Sequence, residues 1–136
     1  MQRNNFSWSV RVYYEDTDAG GIVYYANYLK YFERARTEWL RALGVEQDIW
    51  LANKVAFVVT EVQMKNTRPA KFNELLTVSS EISTLRRASL SFKQEIHNAA
   101  QQVVCAAEIK IACVDPEQSK ARSIPAEITE VLSRVR

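Results

Sequence analysis

The reading of the chain turns on VRVYYEDTDAGGIVYYANYLKYFERAR, residues 10–36. It opens with strand-like alternation, passes through an acidic turn and runs out as an amphipathic helix. Glu15, Asp16 and Asp18 fall close together with no Lys or Arg among them. Gly20 and Gly21 follow, and without a Cβ they let the backbone turn sharply or approach a ligand. The helix is expected to open near Ala26, where its first N–H groups have no intrahelical partner. A carboxylate and a set of free donors are thereby brought together. The first can attack a carbonyl or activate water, and the second can hold an oxyanion. Those are two of the parts needed to hydrolyse an ester or thioester. The same residues also suit a plain acidic turn, since Asp and Gly favour turns.

Upstream, residues 6–14 alternate, with Phe6, Trp8, Val10, Val12 and Tyr14 on one face, which predicts a half-buried strand. Downstream, Tyr28, Leu29, Phe32, Ala35, Trp39, Leu40 and Leu43 form one helical stripe, which predicts a helix from Ala26 to Leu43. Arg34 and Glu38 have the spacing of an outward ion pair, and Gly44 sits where a glycine stops a helix. A short helical turn is expected over 46–53. Strands follow over Val55–Lys65, around Leu76, Val78 and Ile82, around Leu90, Phe92 and Ile96, and from Val103 to Cys113. Pro69, Arg86-Arg87-Ala88, Asn98–Gln101 and Asp115-Pro116 punctuate them. Pro125 suits a first helical position, and Ile128, Val131, Leu132 and Val135 predict a short C-terminal helix. One long helix followed by consecutive strands is α+β order, with the helix across one face of an antiparallel sheet. The 136 residues suit one domain over 1–136.

Composition narrows the function. A net charge of +2 gives no general nucleic-acid surface. No apolar run approaches a membrane span, and the opening Met-Gln-Arg-Asn-Asn-Phe-Ser-Trp has no signal-peptide core. Cys105 and Cys113 fall in one expected strand, roughly 26 Å apart at the usual rise, too far to bridge. Two free thiols and no export signal argue for a cytoplasmic protein. His97, the one histidine, lies on the polar face of its strand, and no Cys/His spacing indicates a metal.

The run Tyr14-x-Asp-Thr-Asp18-x-x-Gly-x-Val-Tyr-Tyr25-x-Asn27-Tyr-x-x-Tyr-Phe-Glu-x-Ala-Arg resembles the signature of the hotdog-fold acyl-CoA thioesterases of the 4-hydroxybenzoyl-CoA thioesterase superfamily. Within that group it is most similar to the bacterial Tol-Pal-associated acyl-CoA thioesterases. The likeness continues more weakly through Ala56-Phe-Val-Val, Arg86-Arg-Ala-Ser, Cys113-Val-Asp-Pro and Ile124-Pro. It implies a curved sheet wrapped around the central helix, with sites at a subunit interface of a homodimer or homotetramer. It implies an acyl-CoA substrate, with coenzyme A as part of it and no metal or redox cofactor.

By this resemblance Asp18 is the catalytic carboxylate, as nucleophile or general base, and Asp16 serves the turn. Tyr25 stands where most Tol-Pal-associated relatives carry His and where the 4-hydroxybenzoyl-CoA type carries Tyr. Its backbone N–H is the group that polarises the thioester carbonyl. Tyr14 lies beside the site, to hydrogen-bond Asp18 or to pack in the core. Arg86, Arg87 and Ser89 match a run that contacts the nucleotide end of coenzyme A, and Lys110, Lys120 and Arg122 are candidates to join it. The alternative is a non-catalytic acyl-binding or envelope-associated interaction protein on the same scaffold. Links to envelope or phospholipid-synthesis proteins come from the resemblance alone. A hotdog dehydratase is a weaker rival, because it wants a histidine placed to take a proton.

Overall fold

The protein is described by a computed structural model over residues 4–136. Met1, Gln2 and Arg3, part of the stretch read above for a signal peptide, lie outside the described residues. The elements run β1 (Asn5–Arg11), a 3-10 turn (Tyr14–Asp16), α1 (Asn27–Ala42), α2 (Gln47–Ala52), β2 (Ala56–Asn66), β3 (Leu75–Leu85), β4 (Ser89–His97), β5 (Val103–Asp115), β6 (Lys120–Ala121) and α3 (Ala126–Val135). The long strands form one antiparallel sheet in the order β1-β3-β4-β5-β2, and β6 pairs with β5. The sheet curls around α1, which is the hotdog arrangement.

Period-two burial makes this core. Leu76, Val78 and Ile82 of β3, Leu90, Phe92 and Ile96 of β4, and Ile109 and Ile111 of β5 all face inward. Against them α1 buries Tyr28, Tyr31, Phe32, Ala35, Trp39 and Leu40. Trp39 stacks on Phe6 at 6.0 Å and meets Phe92 edge-on at 6.1 Å. Leu29, read as part of the buried stripe, is exposed instead. Tyr31 and Arg36 are buried in its place, and both make polar contacts described below.

Gly44 ends α1 as expected. It holds φ +89° and donates to Arg41 O at 3.0 Å, while Val45 N–H donates to Leu40 O at 2.8 Å. That pair of bonds satisfies two of the last helical carbonyls. Glu38 pairs with Arg41 and not with Arg34, because the three-residue spacing toward the helix C-terminus brings the two ends together. Pro125 sits one residue earlier than expected, as the N-cap of α3, where its carbonyl accepts from Ile128 and Thr129. Cys105 and Cys113 are free and buried in β5, and burial pushes the Cys105 thiol up to about 12. Among the described residues no helix is long and apolar enough to cross a membrane.

Candidate active site

The alternation that predicts a strand through residue 14 breaks earlier. β1 ends at Arg11, although Val12 still exchanges backbone bonds with Glu74 and Asn73. The chain then turns through Tyr14–Asp16, and Tyr14 is 79% exposed, not on the core face. Asp16 is the cause. Its Oδ2 accepts from Tyr13 N–H at 2.8 Å and from the Tyr31 hydroxyl at 2.8 Å. A carboxylate drawn inward to a helix side chain turns the strand out of register and swings the tyrosine before it into solvent. The Tyr14 ring meets Phe72 edge-on at 5.8 Å. Among the described residues its hydroxyl reaches neither Asp18 nor any other partner.

Beyond the turn, residues 17–23 form a tight hairpin. Thr17 pairs with Val23, Asp18 N–H donates to Ile22 O at 2.9 Å, and Gly21 N–H donates to Asp18 O at 3.0 Å. Gly21 holds φ +79°, the left-handed corner that a three-residue hairpin needs and glycine supplies without strain. Asp18 lies at the tip, exposed. Its Oδ1 accepts from Gly20 N–H at 2.9 Å, and among the described residues no side chain bonds to it. A Cβ at residue 20 would stand 3.3 Å from that oxygen, so glycine there keeps the carboxylate's surroundings open.

The helix begins where the hairpin closes. Tyr24 N–H and the Asn27 side-chain amide both donate to Asp16 O, at 3.0 and 2.8 Å. Asp16 thus holds the hairpin base and the helix start to one atom, with Asp18 two residues away. The first turn of α1 has no side-chain cap and no acidic residue. Among the described residues the N–H groups of Tyr25 and Ala26 find no acceptor in the chain. The partial positive charge of a helix start adds to those free donors. The Tyr25 side chain is exposed and lies against Tyr24, with ring centroids 5.1 Å apart. Tyr13, Tyr14 and Phe72 are exposed as well.

The arginine run lies elsewhere, in the β3–β4 turn, which Arg86 N–H closes by donating to Ser89 O at 2.8 Å. Arg86 and Arg87 border a surface cavity shared with Thr129 and Ser133 of α3 and with Arg136 at its C-terminal end. Arg87 Nε donates to Ser123 Oγ at 2.9 Å. Ser89 is partly buried at the start of β4 and does not line the cavity. Lys110, Lys120 and Arg122 do not line it either; Arg122 turns to the Lys54 carbonyl at 3.2 Å. The third cation at this place is Arg136, which sequence reading missed because only the return of α3 brings it alongside. His97 is partly buried at the end of β4 and faces Glu95 at 3.3 Å. Among the described residues no group of three His, Cys, Asp or Glu side chains is placed to hold a metal ion.

Sequence reading also missed a buried polar trio. Ser80 and Gln94 sit at in-phase, core-facing positions of β3 and β4, opposite each other in register. Gln94 Nε2 donates to Ser80 Oγ at 2.9 Å and to Phe32 O at 3.0 Å, which turns its Oε1 toward Arg36 Nη1 at 3.0 Å.

Known proteins share this architecture and sequence. Residues 12–132 match the thioesterase-like superfamily. The acyl-CoA thioester hydrolase YbgC of Escherichia coli is 44% identical over 94% of this chain and 96% of its own length. The long-chain acyl-CoA thioesterase FadM of Escherichia coli is 33% identical over 81% of this chain and 83% of its own. A probable thioesterase from Bartonella henselae superposes with a TM-score of 0.83 at 35% identity, over 89% of this chain and 99% of that one. The hairpin, the uncapped helix and the sheet that curls around it are therefore parts of a chain that belongs to the thioesterase-like superfamily.

Proposed function

We propose that this protein hydrolyses acyl-coenzyme A thioesters to the free acid and coenzyme A. The observation that carries the reading is the uncapped start of α1. Two unpartnered N–H groups stand there beside a hairpin whose tip carries an exposed carboxylate. The Tyr25 N–H receives the thioester oxygen, and negative charge developing on that oxygen is stabilised by a donor already in place. Asp18 either attacks the carbonyl carbon, giving an acyl–aspartyl anhydride that water then hydrolyses to the free acid and the restored carboxylate, or takes a proton from the water that attacks the carbonyl directly. The coenzyme A sulfur leaves and picks up a proton. Tyr14 lines the approach to Asp18. A backbone donor is indifferent to the side chain it carries, so Tyr25 serves where relatives carry His.

Arg86 and Arg87 face the nucleotide end of the substrate, and Ser89, which stays off the cavity, closes their turn through its carbonyl. Guanidinium groups suit phosphate oxygens because their planar fork donates two parallel bonds. Replacing Arg86 and Arg87 together by Ala is expected to raise KM for acyl-CoA about tenfold or more and to leave kcat within a factor of about two. An unchanged KM moves the nucleotide elsewhere.

A second copy completes the site. Among the described residues β2 pairs only with β5, so one long edge of Ala56–Asn66 is open there, and the strand exposes Val58, Val59 and Val62. Such an edge is a template for another strand. We infer a homodimer, or a homotetramer built from it, that covers β2 and brings the partner's surface toward the hairpin. Sedimentation equilibrium is expected at a multiple of the 15.6 kDa chain mass, and a monomer at micromolar concentration rejects the arrangement. The activity itself is tested with short-chain, long-chain and aromatic acyl-CoAs and a thiol reagent. Release of coenzyme A from at least one of them is expected. No release from any leaves an acyl-binding scaffold in place of an enzyme.

A further inference from the structure

A second cavity, lined by no residue of the hairpin, holds a buried cation that no carboxylate among the described residues meets at ion-pairing distance. It lies between the later half of α1, α3 and the inner face of β2, β4 and β5, with a volume of about 120 Å³. Leu40, Phe57, Leu90, Ile111 and Leu132 are among its apolar walls, and Arg36 is its cationic one. No wall residue belongs to the hairpin or to the first turn of α1.

Arg36 is only 7% exposed. One of its donors goes to Gln94 Oε1, and its guanidinium lies 5.9 Å from the centre of the Phe92 ring. Among the described residues no carboxylate comes within ion-pairing distance of it. Glu33 also borders the cavity, but it is exposed and accepts from Thr37 Oγ1 at 2.6 Å. Burial pulls the guanidinium down to about 10, with Glu33 opposing, so it is a cation at neutral pH. A buried, unpaired cation costs several kcal/mol unless something anionic meets it. Gln94 is held by two other bonds and fixes the fork in one orientation. What remains is a mostly apolar cavity, with Glu33, Thr37 and Gln47 as its polar side and one buried, oriented anion-binding group, the usual make-up of a small-molecule site.

We propose that this cavity binds a short apolar carboxylic acid, its carboxylate on Arg36 and its body against the aliphatic walls. The ligand is a free acid and not the far end of a bound thioester. Arg36 lies ten residues beyond Ala26, about 15 Å along the helix, beyond the reach of a short acyl group held at the helix start of the same chain. Acids of this class are what thioester hydrolysis releases, so an occupied site would report product. The binding itself does not depend on catalysis, and its failure would leave the reading of the hairpin untouched.

Pentanoate and 1-pentanol share an apolar body and differ in charge. Each is titrated into the intact protein and followed by amide chemical shifts. Pentanoate is expected to bind at least tenfold more tightly, with shifts centred on α1 and β4. Arg36→Gln is expected to bind the two alike, and Leu132→Phe, which keeps the guanidinium and narrows the cavity, to weaken both. If Arg36→Gln does not fold, the wild-type comparison and Leu132→Phe decide. Equal affinity in the wild type, shifts that map away from the cavity, or a preference that survives Arg36→Gln would overturn the proposal.

Discussion

Asp18→Asn is expected to slow acyl-CoA turnover about a hundred- to ten-thousandfold, the range that a lost general base commands, while the fold and coenzyme A binding persist. The reason lies in how little the hairpin asks of the carboxylate. Among the described residues its one bond is from Gly20 N–H to Oδ1, and an Asn carbonyl accepts that bond equally well. The side chain is exposed, so the amide is not buried without partners. What the amide cannot do is take a proton from water or attack a carbonyl. Stopped-flow release of coenzyme A measures kcat, and urea unfolding measures stability, with a change within about 0.5 kcal/mol expected for an exposed site. Wild-type turnover in Asp18→Asn would move the chemistry to another group.

How far this was legible in the sequence depends on whether a feature is local. The strands around Leu76, Leu90 and Val103 and the stop at Gly44 follow from period-two burial and one left-handed residue. They are written in neighbouring positions and needed no partner to be read. Tyr14 was misplaced because alternation extends a strand until something interrupts it. Here the interruption is a bond to Asp16 from the Tyr31 hydroxyl, a whole helical entry further along the chain. Arg36, Gln94 and Ser80 escaped for a related reason. A periodic reading counts apolar residues, so a polar residue in phase with the core goes unread unless its partner is known. β6 is two residues long, too short for any period. The acidic pair shows the same limit at the site. Spacing alone treats Asp16 and Asp18 as equals, and what separates them is a contact with the middle of α1.

Asp16→Ala is therefore expected to act on stability where Asp18→Asn acts on rate. Asp16 is 9% exposed, and its carboxylate accepts two bonds, from Tyr13 N–H and from the hydroxyl of Tyr31, itself fully buried. Burial, and then this carboxylate, hold the Tyr31 phenol proton well above its usual range, so Tyr31 remains a donor throughout the neutral region. Removing the acceptor leaves that hydroxyl buried with nothing to donate to. It also frees the turn whose carbonyl ties Tyr24 and Asn27 to the helix start. Bonds to a charged acceptor contribute roughly 1.5–3 kcal/mol each. The loss should come to about 3 kcal/mol, seen as a lower urea midpoint with an unchanged slope. Tyr31→Phe removes one of the two bonds and should fall between Asp16→Ala and wild type. Since the turn also aims Tyr25, the folded fraction of Asp16→Ala should lose some turnover, by much less than Asp18→Asn. If instead Asp16→Ala keeps its urea midpoint and abolishes turnover, while Asp18→Asn stays active, the two carboxylates have exchanged roles.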